Sequence, residues 1–147
     1  MRIGIVCPYS FDAHGGVQVH VMDLAGELFR RGHEVQVLAP ASQDTDLPDW
    51  VTSAGDSIAI PYNGSVARLN FGALVARRAR RWLEAWDFDI LHIHEPITPS
   101  VGMLALQAAT GPVVGTFHAA MDRSLARELL SPATVPLMEK LSARIAV

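Results

Sequence analysis

Residues 1–40, MRIGIVCPYSFDAHGGVQVHVMDLAGELFRRGHEVQVLAP, constrain the fold more than any other stretch, because they read as strand, glycine-bearing loop, helix and strand. Ile3, Ile5 and Val6 form a short β-branched run of the kind found in strands buried on both faces, and Pro8 ends it. Segment 17–31 then places Val17, Val21, Leu24, Ala25 and Leu28 at helical spacing, with Gln18, Asp23, Glu27, Arg30 and Arg31 mostly on other faces. Gly32 stands at the C′ position, where a left-handed backbone costs glycine little. Val35, Val37 and Leu38 make a second strand, and a crossover of this length is the parallel βαβ unit.

Gly15 and Gly16 precede the helix directly. A helix N-terminus offers unpaired N–H groups and about half a positive charge, and glycine lets an anion approach the backbone with no Cβ in the way. The pair therefore reads either as a phosphate site or as a tight turn. HGGVQVH lacks the G-x-G-x-x-G spacing, and the second strand ends in Leu38-Ala39-Pro40 in place of a ribose-binding acid, which disfavours NAD.

With 147 residues, half of them hydrophobic, the chain is long enough for one α/β domain with a full core. A formal charge of −3 argues against duplex nucleic acid as a partner. The single cysteine, Cys7, falls in the first strand, where packing is the expected role, and a reducing, cytoplasmic setting fits. The apolar start is too short for a signal peptide, and no run approaches the ~18 to 20 apolar residues of a membrane span. Any membrane contact is expected to be peripheral.

Beyond residue 40, ASQDTDLPDW reads as a loop and residues 57–60 as a brief strand closed by Pro61. PYNGSVARLNFG, with its Asn63-Gly64 turn signal, reads as a functional loop. Helix 73–86, strand 89–94, helix 97–110 and strand 113–117 follow, then helical pieces at 123–131 and 136–142 and a strand from 143. Strands near 3, 35, 58, 90, 113 and 144 alternate with helices. That pattern predicts a Rossmann-like open parallel sheet flanked by helices. The final strand stops where a ligand-bearing loop would follow, so the chain is expected to be the first domain of a longer protein.

In a doubly wound sheet the useful side chains gather at the C-terminal strand ends. Here those ends carry Tyr9, then Tyr62, Asn63 and Ser65, then His94 and Glu95, and finally His118, all expected to face the crevice of Gly15-Gly16. His92 and His94 alternate with Leu91 and Ile93 and so share one side of their strand. Their spacing matches no zinc motif, and no metal site is expected. His118, just past a strand end, suits proton or hydroxyl chemistry, or alternatively satisfies loop backbone groups. On helix 73–86, at roughly 100° per residue, Arg77, Arg78, Arg80 and Arg81 fall within less than half the circumference. Val75, Ala79, Trp82, Leu83 and Trp86 take the other side. Guanidinium groups bind phosphate bidentately, so this face reads as a surface for anionic lipid headgroups, or else as a solvated outer face.

The opening MRIGIVCPYSFDAHGGVQVHVMDLA with PYNGSVARLNFG, LHIHEP and GPVVGTFHA resembles the N-terminal domain of retaining GT-B glycosyltransferases, more narrowly the phosphatidyl-myo-inositol mannosyltransferase family. The resemblance covers essentially the whole chain. It implies transfer of mannose from GDP-mannose to the inositol of phosphatidylinositol, at the inner face of the plasma membrane, in a cleft between two Rossmann-like domains. By match of motif, Gly15 and Gly16 would approach the donor diphosphate and His118 the transferred sugar. Tyr9 would stack on the inositol ring, with Gln18, Tyr62, Asn63, Ser65 and Arg68 lining the acceptor site. The main nucleotide contacts would belong to a C-terminal domain, and no tightly bound cofactor is implied. The sequence departs from the family pattern at His14, Asn70, Ile97 and Ala119-Ala120, and Ile97 would remove a hydrogen-bonding side chain from the acceptor pocket. The residues by themselves also leave open a noncatalytic anion-binding module and half of a nucleotide-sugar epimerase.

Overall fold

Strand β1 (Arg2–Val6) lies at the middle of the molecule, with parallel partners on both edges. The computed structural model describes residues 1–62, 65–118, 132 and 134–147, and of Tyr62 and Ser65 the backbone alone. One neighbour of β1 is β2 (Glu34–Ala39), reached through helix α1 (Gly16–Arg30). The other is the strand Ile90–His94. Gly32, at φ +83°, makes the turn between α1 and β2.

A short strand β3 (Val51–Ser53) extends the sheet beyond β2. The chain then leaves the sheet to form an antiparallel hairpin, β4 (Ile58–Tyr62) and β5 (Ser65–Leu69). Helix α2 (Ala73–Trp86) returns it to β6 (Ile90–His94), and α3 (Val101–Ala108) leads to β7 (Val113–Phe117). A short α4 (Val135–Glu139) precedes β8 (Leu141–Ala146). The strand order is β3-β2-β1-β6-β7-β8, with every pairing in this sheet parallel. Among the described residues this is the expected Rossmann-like sheet flanked by helices.

Alternation along the strands sorts the core into two layers. Ile3, Ile5, Cys7, Val35, Val37 and Ala39 face α1, packing on Val21 and Ala25. Val6, Leu38, Leu91 and Ile93 face the opposite way, onto Val75, Ala79 and Trp82 of α2 and Val101, Leu104 and Ala105 of α3. Cys7 is fully buried, and burial pushes its thiol up to about 12, so it packs as a small hydrophobe.

Several expectations need correction. The strand near 58 is not part of the main sheet; β3, between the expected loop 41–50 and the expected strand 57–60 and assigned to neither, takes that edge. Residues 61–62 and 65–69, expected in a loop, belong to the paired strands β4 and β5, since Asn-Gly between two short strand-forming runs is a hairpin signal and an isolated two-stranded ladder tolerates Pro61. Trp86 lies 40% exposed at the end of α2 instead of in the core. The helix expected at 97–110 starts only at Val101, where the Ser100 hydroxyl accepts from the Gly102 N–H as an N-cap. The last strand begins at Leu141, so α4 ends earlier than expected. The expected helical piece at 123–131 lies outside the described residues.

Candidate active site

The strand order reverses direction between β1 and β6, and in an open α/β sheet the crevice at that point is where ligands bind. A cavity of about 540 Å³ lies there, lined by Tyr9 after β1, Gly15, Gly16 and Gln18 at the start of α1, Arg68 of the hairpin, and Glu95 and His118 after β6 and β7. Tyr9, Gly15, Gly16, Gln18, Arg68 and His118, scattered over more than a hundred residues of sequence, thus share one hollow. Tyr62 and Ser65 pair through their backbones at the hairpin end, and Asn63 lies outside the described residues.

The floor of the cavity is held by backbone contacts. Ser10 N donates to Arg68 O at 2.9 Å, which docks the hairpin on the loop after β1. Asp12 braces the same loop: its carboxylate accepts from Ser10 Oγ, from Ser42 N at 2.9 Å and from the Thr45 hydroxyl. Partial burial pushes the Asp12 carboxyl up, but these three donors together hold it below the usual range. Gln18 Nε2 donates to Ser10 O and Ala13 O at 3.1 and 3.2 Å. A Cβ on Gly15 would come within 2.5 Å of Gln18 Oε1, so glycine is needed for this close approach. A Cβ on Gly16 would meet nothing within 4 Å, and no side chain caps α1. The first N–H groups of the helix are therefore unshielded by protein.

Opposite the glycines sits a group of imidazoles. His92 and His94 lie on the α1 side of β6, their rings stacked at 4.6 Å, and His94 stacks on His118 at 5.0 Å. His20, on α1, meets His94 and His118 edge-on, each at 5.5 Å. His94 Nδ1 and His118 Nε2 share a hydrogen bond of 2.7 Å, and His92 Nε2 shares one with Thr116 Oγ1, also 2.7 Å. Burial, then the neighbouring imidazoles, push His92 down to about 4 and His94 down to about 2. His118 is lowered by burial and by His20, against a pull upward from Glu95. The cluster is therefore neutral at pH 7 wherever it is buried.

Glu95 fixes His118 by its main chain. One Glu95 carboxylate oxygen accepts the His118 backbone N–H at 2.6 Å, and Glu95 N donates to Thr116 O. Glu95 itself holds φ +50°, a left-handed conformation uncommon for a non-glycine residue, at a buried site. His20 and the Glu95 clamp had not been assigned to the site from the sequence. His20 had a detectable signal, since it lies three residues after Val17 and four before Leu24, on the same side of α1 as those two apolar residues, although it is itself exposed.

Two departures fall away from the cavity. Ile97 is buried in the turn before α3, and Asn70 is buried with its amide donating to Gly55 O, so neither lines the hollow. On α2, Arg77, Arg78, Arg80 and Arg81 are all exposed, and Arg78 also donates to Ala54 O at 3.1 Å. Among the described residues no three or more His, Cys, Asp or Glu side chains are arranged to hold a metal ion, the imidazole group included, and no described helix is long and apolar enough to cross a membrane.

The model of Glycosyltransferase Family 4 matches residues 14–147, and the chain belongs to that family of glycosyltransferases. Over all 147 residues it is 56% identical to the phosphatidyl-myo-inositol mannosyltransferase of Mycolicibacterium smegmatis and 55% identical to that of Mycobacterium leprae. It spans 38% and 39% of the length of those proteins. MurG of Acinetobacter baumannii superposes over 99% of this chain and 41% of its own at a TM-score of 0.60, with 15% identity, which identifies the fold as one Rossmann-like half of the GT-B architecture.

Proposed function

We propose that the chain forms the acceptor-side wall of a retaining mannosyltransferase that moves mannose from GDP-mannose to the inositol of phosphatidylinositol at the cytoplasmic membrane face. The observation carrying this reading is the cavity that brings the open N-terminus of α1, Arg68 and His118 together. In the transfer, the bond from the sugar's anomeric carbon to the diphosphate breaks and a bond to an inositol hydroxyl oxygen forms. The hydroxyl proton leaves with the GDP phosphate. Negative charge growing on the diphosphate is met by the Gly15-Gly16 helix end, where no Cβ stands in the way. Arg68 takes the acceptor phosphate through its guanidinium fork, and Tyr9 provides a ring face for the inositol. Gln18, Tyr62, Asn63 and Ser65 complete the acceptor side, and His118 holds the transferred sugar.

The names of relatives 56% and 55% identical to this chain, phosphatidyl-myo-inositol mannosyltransferases, support mannosyl transfer and a phosphatidylinositol acceptor. The surface supports a membrane setting: Phe71 and Leu74, 54% and 70% exposed, lie at the start of the helix that carries Arg77, Arg80 and Arg81. Exposed apolar groups beside basic ones suit an anionic lipid interface. The remaining contacts to the nucleotide would come from a second domain, so this chain alone should give no turnover, having one wall of a cleft that must exclude water.

The test is to incubate the full-length gene product with GDP-mannose and phosphatidylinositol vesicles, and to identify the mannolipid by mass spectrometry and its anomeric configuration by NMR. One mannose added with the donor's configuration is expected. GDP-mannose binding without transfer to phosphatidylinositol would overturn the acceptor, and an inverted product would overturn the mechanism.

A further inference from the structure

His94 is the most enclosed member of the imidazole group, with 0% of its surface exposed, yet it does not line the cavity. Its Nδ1 lies 2.7 Å from His118 Nε2, so one of these nitrogens carries the hydrogen and the other the lone pair. Its other nitrogen, Nε2, is buried with no hydrogen-bond partner among the described residues. A neutral imidazole has a single N–H. Placed on Nε2, that hydrogen would be stranded in the interior; placed on Nδ1, it is used, and only a lone pair goes unsatisfied. Orphaned buried donors are rarer in proteins than under-used acceptors.

We infer that His94 is a positioning residue: it donates from Nδ1 to His118 Nε2 and so fixes His118 as the Nδ1–H tautomer, a hydrogen-bond donor to whatever occupies the cavity. This rests on the sugar-holding role given to His118 above and narrows it. With Nε2 committed to His94, the remaining ring nitrogen offers an N–H and no lone pair. His118 therefore grips a hydroxyl or phosphate oxygen of a sugar nucleotide and does not abstract a proton. Protonating His118 would set two N–H groups against each other at 2.7 Å unless His94 moved its hydrogen to the partnerless Nε2. Of the other described titratable groups against the pair, His20 and His92 also oppose a positive charge there, and Glu95 favours it.

The chain labelled with ¹⁵N-histidine reports the tautomer directly, because protonated and bare ring nitrogens resonate far apart. Wild type is expected to show His118 protonated on Nδ1. His94→Phe keeps a flat ring in the stack but removes the donor, and should release His118 into a mixture containing the Nε2–H form. In the full-length gene product it should lower kcat about tenfold or more, the tautomer being part of the machinery, with little change in GDP affinity. His94→Asn, whose amide nitrogen can stand near the place of Nδ1, should restore both the tautomer and most of kcat. A wild-type His118 protonated on Nε2, or a tautomer unmoved by His94→Phe, overturns the inference. If the Phe variant does not fold, the wild-type and Asn spectra decide. Absence of any sugar transfer, with the tautomers as expected, would remove the functional reading of the cavity and leave the role of His94 standing.

Discussion

Gly16 is the position where one small side chain separates folding from binding. Since a Cβ there meets nothing, Gly16→Val should leave the thermal midpoint within a few degrees of wild type while filling the space a diphosphate needs. Loss of nucleotide-sugar binding, measured calorimetrically on the full-length gene product, is the expected outcome; normal binding would move the phosphate site elsewhere. Gly15→Ala should behave in the opposite sense, displacing Gln18 and loosening the loop itself. His118→Ala should cut kcat on the order of 10² with GDP affinity nearly kept, as when a transition-state contact is removed. Tyr9 and His118 were legible in the sequence because strand ends of a doubly wound sheet converge on one side, whereas Gln18 and Arg68 were implied only by the family resemblance. The Glu95 clamp was not, since a carboxylate reaching a backbone N–H across two strands depends on their register, which no local pattern encodes.

At the level of elements, the membrane face proposed above is carried by α2. Replacing Arg77, Arg80 and Arg81 by serine should abolish cosedimentation with anionic vesicles at low salt, each exposed cation near the surface being worth about 1 kcal/mol. Arg78→Ser should weaken vesicle binding far less and instead loosen the contact between α2 and the loop after β3. Equal effects of all four arginines would mean that the Arg78 contact does not persist in solution. The helix itself was readable from its 3.6-residue periodicity and charge separation. What periodicity missed was the Arg78 bond to Ala54 O, because a long side chain on a solvent face can still reach a carbonyl of a neighbouring loop. The hairpin was half readable: its Asn-Gly turn was visible, but the competing strand Val51–Ser53 was too short to signal that it, and not the hairpin, closes the sheet edge.

Taken whole, the molecule carries His92 and His94 on the sheet face that packs against α1, and this ties stability to pH. His92 and His94 have folded pKa values of about 4 and about 2 against an ordinary 6.5, so between those limits the unfolded chain takes up protons that the folded one refuses. Stability is full above pH 6.5 and falls as pH drops, by roughly 2 to 3 kcal/mol per histidine near pH 4.5. The lowered carboxylates, Asp12, Glu27 and Asp89, have ordinary values of 3.8 to 4.5 and act mainly below this window. Urea midpoints measured from about pH 7 to 4.5 should slope steeply in wild type and flatten in a His92→Leu variant; a flat wild-type profile would mean that these histidines are charged in the fold.

The central place of β1 has a further consequence for how the chain is made. Its two edges are filled at very different times, by β2 almost at once and by β6 only after a stretch that sets Arg2 beside Asp89, 87 residues away. At typical synthesis rates of about 5 to 20 residues per second, the ~50 residues between β2 and β6 leave the ribosome over several seconds. Throughout that interval the first βαβ unit presents an unpaired, apolar strand edge, and the ligand hollow has only one side. A nascent chain stalled before residue 90 should therefore recruit chaperones and bind no sugar nucleotide, whatever the quality of its glycine loop.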